Sequence, residues 1–245
     1  PSRTPPSAQA ALAPFPTAEY DLNPFFLAIQ YVLGFLLTMS QLFPMSLLVK
    51  NVVEEKEQRI KQTMRIMGLQ RGVHTLGWYI SAAASFALNT LFCLIVCTIF
   101  LPNTPWWVLL LFLSLFAAST VAFAFLLATF FSNAILAAIA APIVFFALVL
   151  PKYVFFGTNR FERSADKVAA SLFAPTAFAM GAEVLGDYEY AGVGVNPSNW
   201  SEGEYSFATS LGMMLFDAIL YAALAIYLDR VLPSRYGARL PLFFF

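Results

Sequence analysis

The stretch VVEEKEQRIKQTMRIMGL, residues 52–69, decides how the rest of the chain is read. It is the one long charged segment in a 245-residue sequence that is 60% hydrophobic and 11% charged. Read as a helix over 53–68, it places Glu55 four residues before Arg59 and Glu57 four before Lys61, the favourable acid-to-base order. Ile60, Met64 and Met67 then share one face, and Gly68 stands where a helix C-cap is expected. Apolar blocks of membrane-spanning length flank it on both sides. A charged amphipathic helix between two spans lies in water or at the interface, as a docking element for a soluble partner or as a solvated connector.

The mean hydropathy is +0.72, far above that of an ordinary soluble domain. With 26 Phe and the apolar residues gathered in blocks, the class is membrane-embedded. The formal net charge is zero and no basic tract points to nucleic acid. Cys93 and Cys97 stand four apart in one apolar block, as free thiols packed in a helix rather than a disulfide or metal pair. His74, the only histidine, reads as an interfacial residue without a metal or catalytic role. The chain starts at Pro1 without a signal peptide pattern, so we expect a piece of a longer polypeptide.

The pattern predicts an all-α integral membrane fold with five transmembrane helices. Residues 1–23, rich in proline, read as an extracytoplasmic linker. Against the roughly 20 apolar residues needed to cross a bilayer, the spans fall at about 24–49, 73–101, 106–131, 134–156 and 206–228. Gln30, Gln41 and Pro44 in the first are tolerable only against other helices or a cavity. Pro142 and Pro151 are expected to bend the fourth. Between the fourth and fifth, residues 168–187 are apolar but broken at Pro175, which predicts an external re-entrant helical hairpin instead of a full crossing.

Charge fixes the orientation. Residues 50–71 carry six bases against three acids, and 229–245 three bases against one acid, whereas 157–205 carry three bases against seven acids. The positive-inside rule then makes the 53–68 helix and the 233–245 linker cytosolic. Asn199-Trp200-Ser201, a possible glycosylation acceptor, falls on the opposite side, in agreement.

No constellation for catalysis is present: no GxxxxGK[ST], no HExxH, and no metal site. Asp217 is the one acid well inside a span. It reads either as a polar substrate-gate residue or as a helix–helix hydrogen-bonding partner of Asn89 or Gln30. Lys152 reads as an interfacial anchor. Glu183, Asp187 and Glu189, among the turn glycines Gly181, Gly186, Gly192 and Gly194, read as a solvated external rim more readily than a cation site.

EEKEQRIKQTMRIMGL (54–69), APTAFAMGAEVLGDYEYAGVGV (174–195) and SLGMMLFDAILYAALAIYLDRVLPSRYG (210–237) together resemble the membrane domain of subfamily A of the ABC transporters, an ABC-2 type domain, in the family's order. The resemblance implies that 24–232 form that domain, with the re-entrant hairpin before the last span. It implies ATP and magnesium at a nucleotide-binding domain outside this chain, a second transmembrane half, and a lipid or other amphipathic substrate. The 53–68 segment then becomes a coupling helix, with Ile60, Met64 and Met67 in a groove of that nucleotide-binding domain and Glu55, Lys56, Glu57 and Arg59 making polar contacts. An ATP-independent scaffold, channel or scramblase is the alternative.

Overall fold

In the computed structural model, residues 24–58, 60–68, 71–154, 164–203 and 205–231 are described. The linkers at 1–23 and 233–245 lie outside them, as does Arg59. Every regular element among the described residues is helical.

The chain opens with α1 (Pro24–Ser40) and α2 (Leu42–Glu57), two halves of one membrane-crossing rod bent at Ser40-Gln41. Pro44 explains the bend, because its missing N–H breaks the ladder one turn back. Gln41 is buried at the joint, as the expectation for polar groups in this span requires. Short α3 (Ile60–Ile66) follows, then α4 (Arg71–Phe100), α5 (Trp106–Phe130) and α6 (Ala134–Ala147). A turn leads to α7 (Pro151–Val154), then come α8 (Ser164–Ala170), α9 (Ala174–Tyr190) and α10 (Phe207–Val231). Five helical stretches are long and apolar enough to cross a membrane: Val32–Glu57, Gly72–Phe100, Trp106–Phe130, Ala134–Tyr153 and Phe207–Asp229.

Helix α5 is the hub, two-thirds buried (67%) where α4 and α10 bury only 22%. It packs on α10, α4, α2 and α9, while α2 also lies along α6 and α9 along α1. Its aromatic side supplies the centre. Phe178 stacks on Phe116 and Phe112, with ring centroids 3.8 and 4.5 Å away. Phe207 leans on Phe112 at 5.1 Å. Outward faces of α4 and α10 carry exposed Ile80, Leu88, Phe92, Ile219 and Ile226, a composition suited to hydrocarbon.

Prolines inside the spans free carbonyls, and neighbouring helices bind them. Pro142 within α6 cannot donate to Ala138 O; Ser46 Oγ of α2 donates there instead, at 3.0 Å. Where α6 ends, Leu148 O accepts from Thr176 Oγ1 of α9. A carbonyl without a donor costs several kcal/mol in lipid, about the scale on which these two contacts act.

Two boundaries differ from the sequence expectation. The 53–68 helix is not continuous: α2 runs on to Glu57, so the first span's rod takes in residues 53–57, and α3 is a separate short helix. The 168–187 hairpin turns at residues 171–173, and Pro175 lies in the first turn of α9. A proline there loses no hydrogen bond, since first-turn amides have no intrahelical acceptor. Helix α9 starts beside Tyr221, midway along α10, whose hydroxyl lies 3.4 Å from Ala174 N. Its end reaches Asn103 and Thr104 in the α4–α5 turn.

Backbones close tightly around α9. A Cβ on Gly34 of α1 would stand 2.8 Å from Ala179 O, and one on Gly181 only 2.3 Å from Ser210 Oγ and 2.8 Å from a Phe112 ring carbon. Ser210 Oγ also donates to Ala177 O at 2.8 Å. Small residues at these two crossings are what let α9 lie inside the bundle.

Candidate functional site

The ends of α2, α5 and α10 and the starts of α4 and α6 meet at one pole, the basic one. Three consecutive residues at the end of α2 each hold a different neighbour. Glu55, buried, accepts from Trp78 Nε1 and pairs with His74 Nε2, both on the first turns of α4. Lys56 Nζ donates to Thr129 O at 3.0 Å and Phe131 O at 3.2 Å, closing the end of α5. Glu57 Oε2 accepts from Ala134 N at 2.9 Å, opening α6.

The signs match the helix dipoles: a cation at the carbonyl end of α5 and an anion at the amide end of α6. Asn133 completes the start of α6, its Oδ1 accepting from Ile135 N at 3.0 Å and Leu136 N at 3.1 Å. The three opening amides of α6 are therefore all bound, two by its own cap and one from α2. Sequence reading gave Glu55, Lys56 and Glu57 to a soluble partner; the fold uses all three to fasten α2 to its neighbours. Glu55 is held by His74 and Trp78, while its expected partner Arg59 lies outside the described residues. His74, read as a bystander, is part of this fastening.

The next turn is what stays open. In α3, Ile60 and Met64 are half-buried, while Ile66 and Met67 are 87% and 75% exposed. Of the predicted apolar face, Met67 alone is fully presented, and Ile66, missed by counting from Ile60, stands beside it. Ile66 and Met67 thus put two large apolar side chains in succession on the surface of this pole.

At the opposite pole Glu189 departs from the expected solvated rim, while Glu183 and Asp187 stay half-exposed. Glu189 is buried and accepts from Asn103 N at 2.8 Å and Thr104 Oγ1 at 3.0 Å. Val195 N donates to Thr104 Oγ1 at 3.3 Å. Gly194, at φ +65°, passes so near that turn that a Cβ would lie 2.2 Å from Asn103 O. The PNTP turn is thereby locked to the end of α9. Lys152, read as a snorkelling anchor, is buried, with Nζ 3.6 Å from Glu183 Oε2.

Asn199 is also buried. Its Oδ1 accepts from Asn196 N at 2.7 Å, and its Nδ2 donates to Gly194 O at 2.9 Å. These two bonds give Asn199 a role in closing the loop. Burial pushes the Tyr205 phenol up to about 12, which leaves it a neutral hydroxyl 2.8 Å from Ser171 Oγ.

Asp217 is fully buried on α10, and neither carboxylate oxygen has a hydrogen-bond partner among the described residues. Asn89 does not reach it, and its own amide nitrogen is likewise unpartnered. The side chain of Gln30 lies outside those described. Among the described residues no three His, Cys, Asp or Glu side chains come together as a metal site.

Comparison with known proteins agrees with this architecture. The profile of the family described as "ABC-2 family transporter protein" matches residues 3–227. The chain is 37% identical over 220 residues to the retinal-specific phospholipid-transporting ATPase ABCA4 of Bos taurus, covering 85% of this chain and 9% of that protein. It is 36% identical over 232 residues to ATP-binding cassette sub-family A member 7 of Mus musculus, covering 92% and 11%. With the phospholipid-transporting ATPase ABCA3 of Homo sapiens the figures are 33% over 245 residues, 94% and 14%. The chain spans about a tenth of the length of these relatives. It is a multi-pass integral membrane protein whose relatives are subfamily A transporters, and it belongs to the ABC-2 family of transporter proteins.

Proposed function

We propose that this chain is the membrane-spanning part of an ATP-driven transporter that moves phospholipid or another amphipathic molecule. The basic pole is its cytosolic face. ATP and magnesium belong to a separate nucleotide-binding domain: this sequence has no phosphate loop, and its described acids do not converge on a cation. A second transmembrane half is the other expected partner. The names of two relatives above, each a phospholipid-transporting ATPase, support the choice of substrate.

The observation that carries the reading is the fastening of α2. Helix α3 offers Ile66 and Met67 to the nucleotide-binding domain, with Ile60 and Met64 behind them. Because Glu55, Lys56 and Glu57 tie the adjoining helix end to α4, α5 and α6, a push on α3 reaches four helices at once. Rigid polar ties transmit such a push, whereas a solvated connector would absorb it. The α8–α9 pair is the re-entrant hairpin: α9 begins level with the middle of α10, ends at the opposite pole, and is buried among helices that satisfy its backbone.

The test is reconstitution of the full-length parent protein in liposomes with a headgroup-labelled phospholipid. ATP-dependent movement between leaflets is expected. Movement at the same rate without ATP would replace this reading with a channel or scramblase, and no movement in either condition with a scaffold.

A further inference from the structure

The first and fourth spans are each interrupted part-way along, and by the same device. Within Val32–Glu57 the ladder slips at Gln41, whose N–H donates to Thr38 O at 3.1 Å, three residues back instead of four. Ser40 Oγ takes Leu37 O, the carbonyl four back from Gln41, at 2.7 Å, and Thr38 Oγ1 takes Gly34 O at 2.6 Å. Pro44, three residues after Gln41, has no N–H to give Ser40 O. Within Ala134–Tyr153 the slip follows Leu148. Val149 N donates to Phe146 O at 3.0 Å and Leu150 N to Ala147 O at 3.2 Å, and Pro151 again stands three residues after Leu148. Short i→i−3 bonding, proline and hydroxyls bonded back to carbonyls are what bend a helical rod.

The two halves of each span have different neighbours. On the outer side of the breaks everything leads to α9: Gly34 of α1 is pressed on Ala179 and Ala182, Leu148 O accepts from Thr176 Oγ1, and Lys152 of α7 lies by Glu183. On the inner side α2 and α6 are bound to each other, by Ser46 Oγ to Ala138 O at 3.0 Å and by Ala134 N to Glu57 Oε2 at 2.9 Å. We propose that Gln41 and Leu148–Leu150 are the two joints of one hinge, on which α2 and α6 swing together while α1, α7 and α9 stay in place. The hinge rests on the proposed function for its driving force, the push delivered to α3. Glu57 is 16 residues from Gln41, about 24 Å, so a change of about 10° at the joint shifts that end by about 4 Å. An unbroken helix such as α5 follows by tilting, whereas the first and fourth spans, held at their outer halves by α9, must bend. Gln41 Oε1 is buried without a partner among the described residues, an acceptor that a second bend angle can satisfy.

The experiment compares two double variants of the full-length parent protein in liposomes. Ser40→Ala with Pro44→Ala restores the N–H at 44 and frees Leu37 O, so the first span can close into one continuous helix. Ser40→Ala with Pro44→Gly restores the same N–H but keeps the backbone free to bend. The healed rod should go on hydrolysing ATP while lipid movement falls about tenfold, a loss on the scale of altered coupling. The glycine variant, although the weaker helix former, should keep most of its lipid movement. Pro151→Ala and Pro151→Gly should fall in the same order. Equal lipid movement in the alanine and glycine variants would overturn the hinge, because a merely structural bend favours neither. Amide hydrogen exchange on the same proteins without ATP reads the joint independently of transport. Exchange should be faster across residues 36–46 than across 112–122 of α5, and slower in the healed variant than in the glycine variant. Equal exchange in the two segments, or in the two variants, would likewise overturn the hinge. A wild type that moves no lipid with ATP yet shows the exchange difference would sink the transport reading alone.

Discussion

Gly181→Ala probes the burial of α9 inside the bundle. The new methyl would stand 2.3 Å from Ser210 Oγ, 3.0 Å from Ser210 Cβ and 2.8 Å from the Phe112 ring. Something must move by more than half an ångström. Overpacking of this kind costs about 1–3 kcal/mol. Displacing Ser210 also weakens its 2.8 Å bond to Ala177 O, worth about 1 kcal/mol. The sum is about 2–4 kcal/mol, or roughly 5–15 °C for a unit of this size. Ser210→Gly removes two of the three clashing atoms, so the double variant should lose clearly less than the sum of the two single losses, with the 2.8 Å approach to the Phe112 ring as the remaining cost. The assay is thermal unfolding of the full-length protein in detergent, followed by tryptophan fluorescence. Gly181→Ala melting with the wild type, or a double variant showing the full sum of both losses, would refute the packing of α9 against α10 and α5.

Other perturbations address the two poles. Glu189→Ala strips two charge-assisted bonds from the PNTP turn and should cost about 3 kcal/mol. Glu189→Gln keeps one acceptor and should cost about half as much; both read as melting shifts. Lys56→Ala and Glu57→Ala each remove a cap from an exposed helix end, worth about 0.3–1 kcal/mol, and 1 M salt should shrink the differences. Asp217→Asn removes a buried group without a hydrogen-bond partner among the described residues, so melting should hold or rise. A large fall there would reveal a partner for the carboxylate.

The spans were legible because a bilayer demands about 20 apolar residues in a row, and five blocks of this chain meet that demand wherever their neighbours lie. Side chains working across the fold were not. Glu57 reads locally as half of a pair with Lys61, whose side chain lies outside those described; the contact no local reading could find is the amide of Ala134, 77 positions on. The clue available was Asn133, an N-cap residue ahead of an apolar run, whose helix still had one amide to satisfy. Glu189 sat among other acids and glycines and so looked like surface. Its partners are in a turn 85 and 86 residues earlier, and only the orphaned amide after Pro102 hinted at them. Ile66 was missed for a different reason. The face was counted from Ile60, which α3 half-buries, and Ile66, six residues on, stands about 120° round the helix from it.

The central claim, that α3 receives the stroke of a nucleotide-binding domain, is tested most directly by Ile66→Asp with Met67→Asp in the full-length protein. ATP hydrolysis and phospholipid movement are measured together in liposomes. The account predicts normal membrane insertion and continued hydrolysis with lipid movement lost by about tenfold or more, the scale of one disrupted apolar contact. Lipid movement at the wild-type rate in that variant would contradict it.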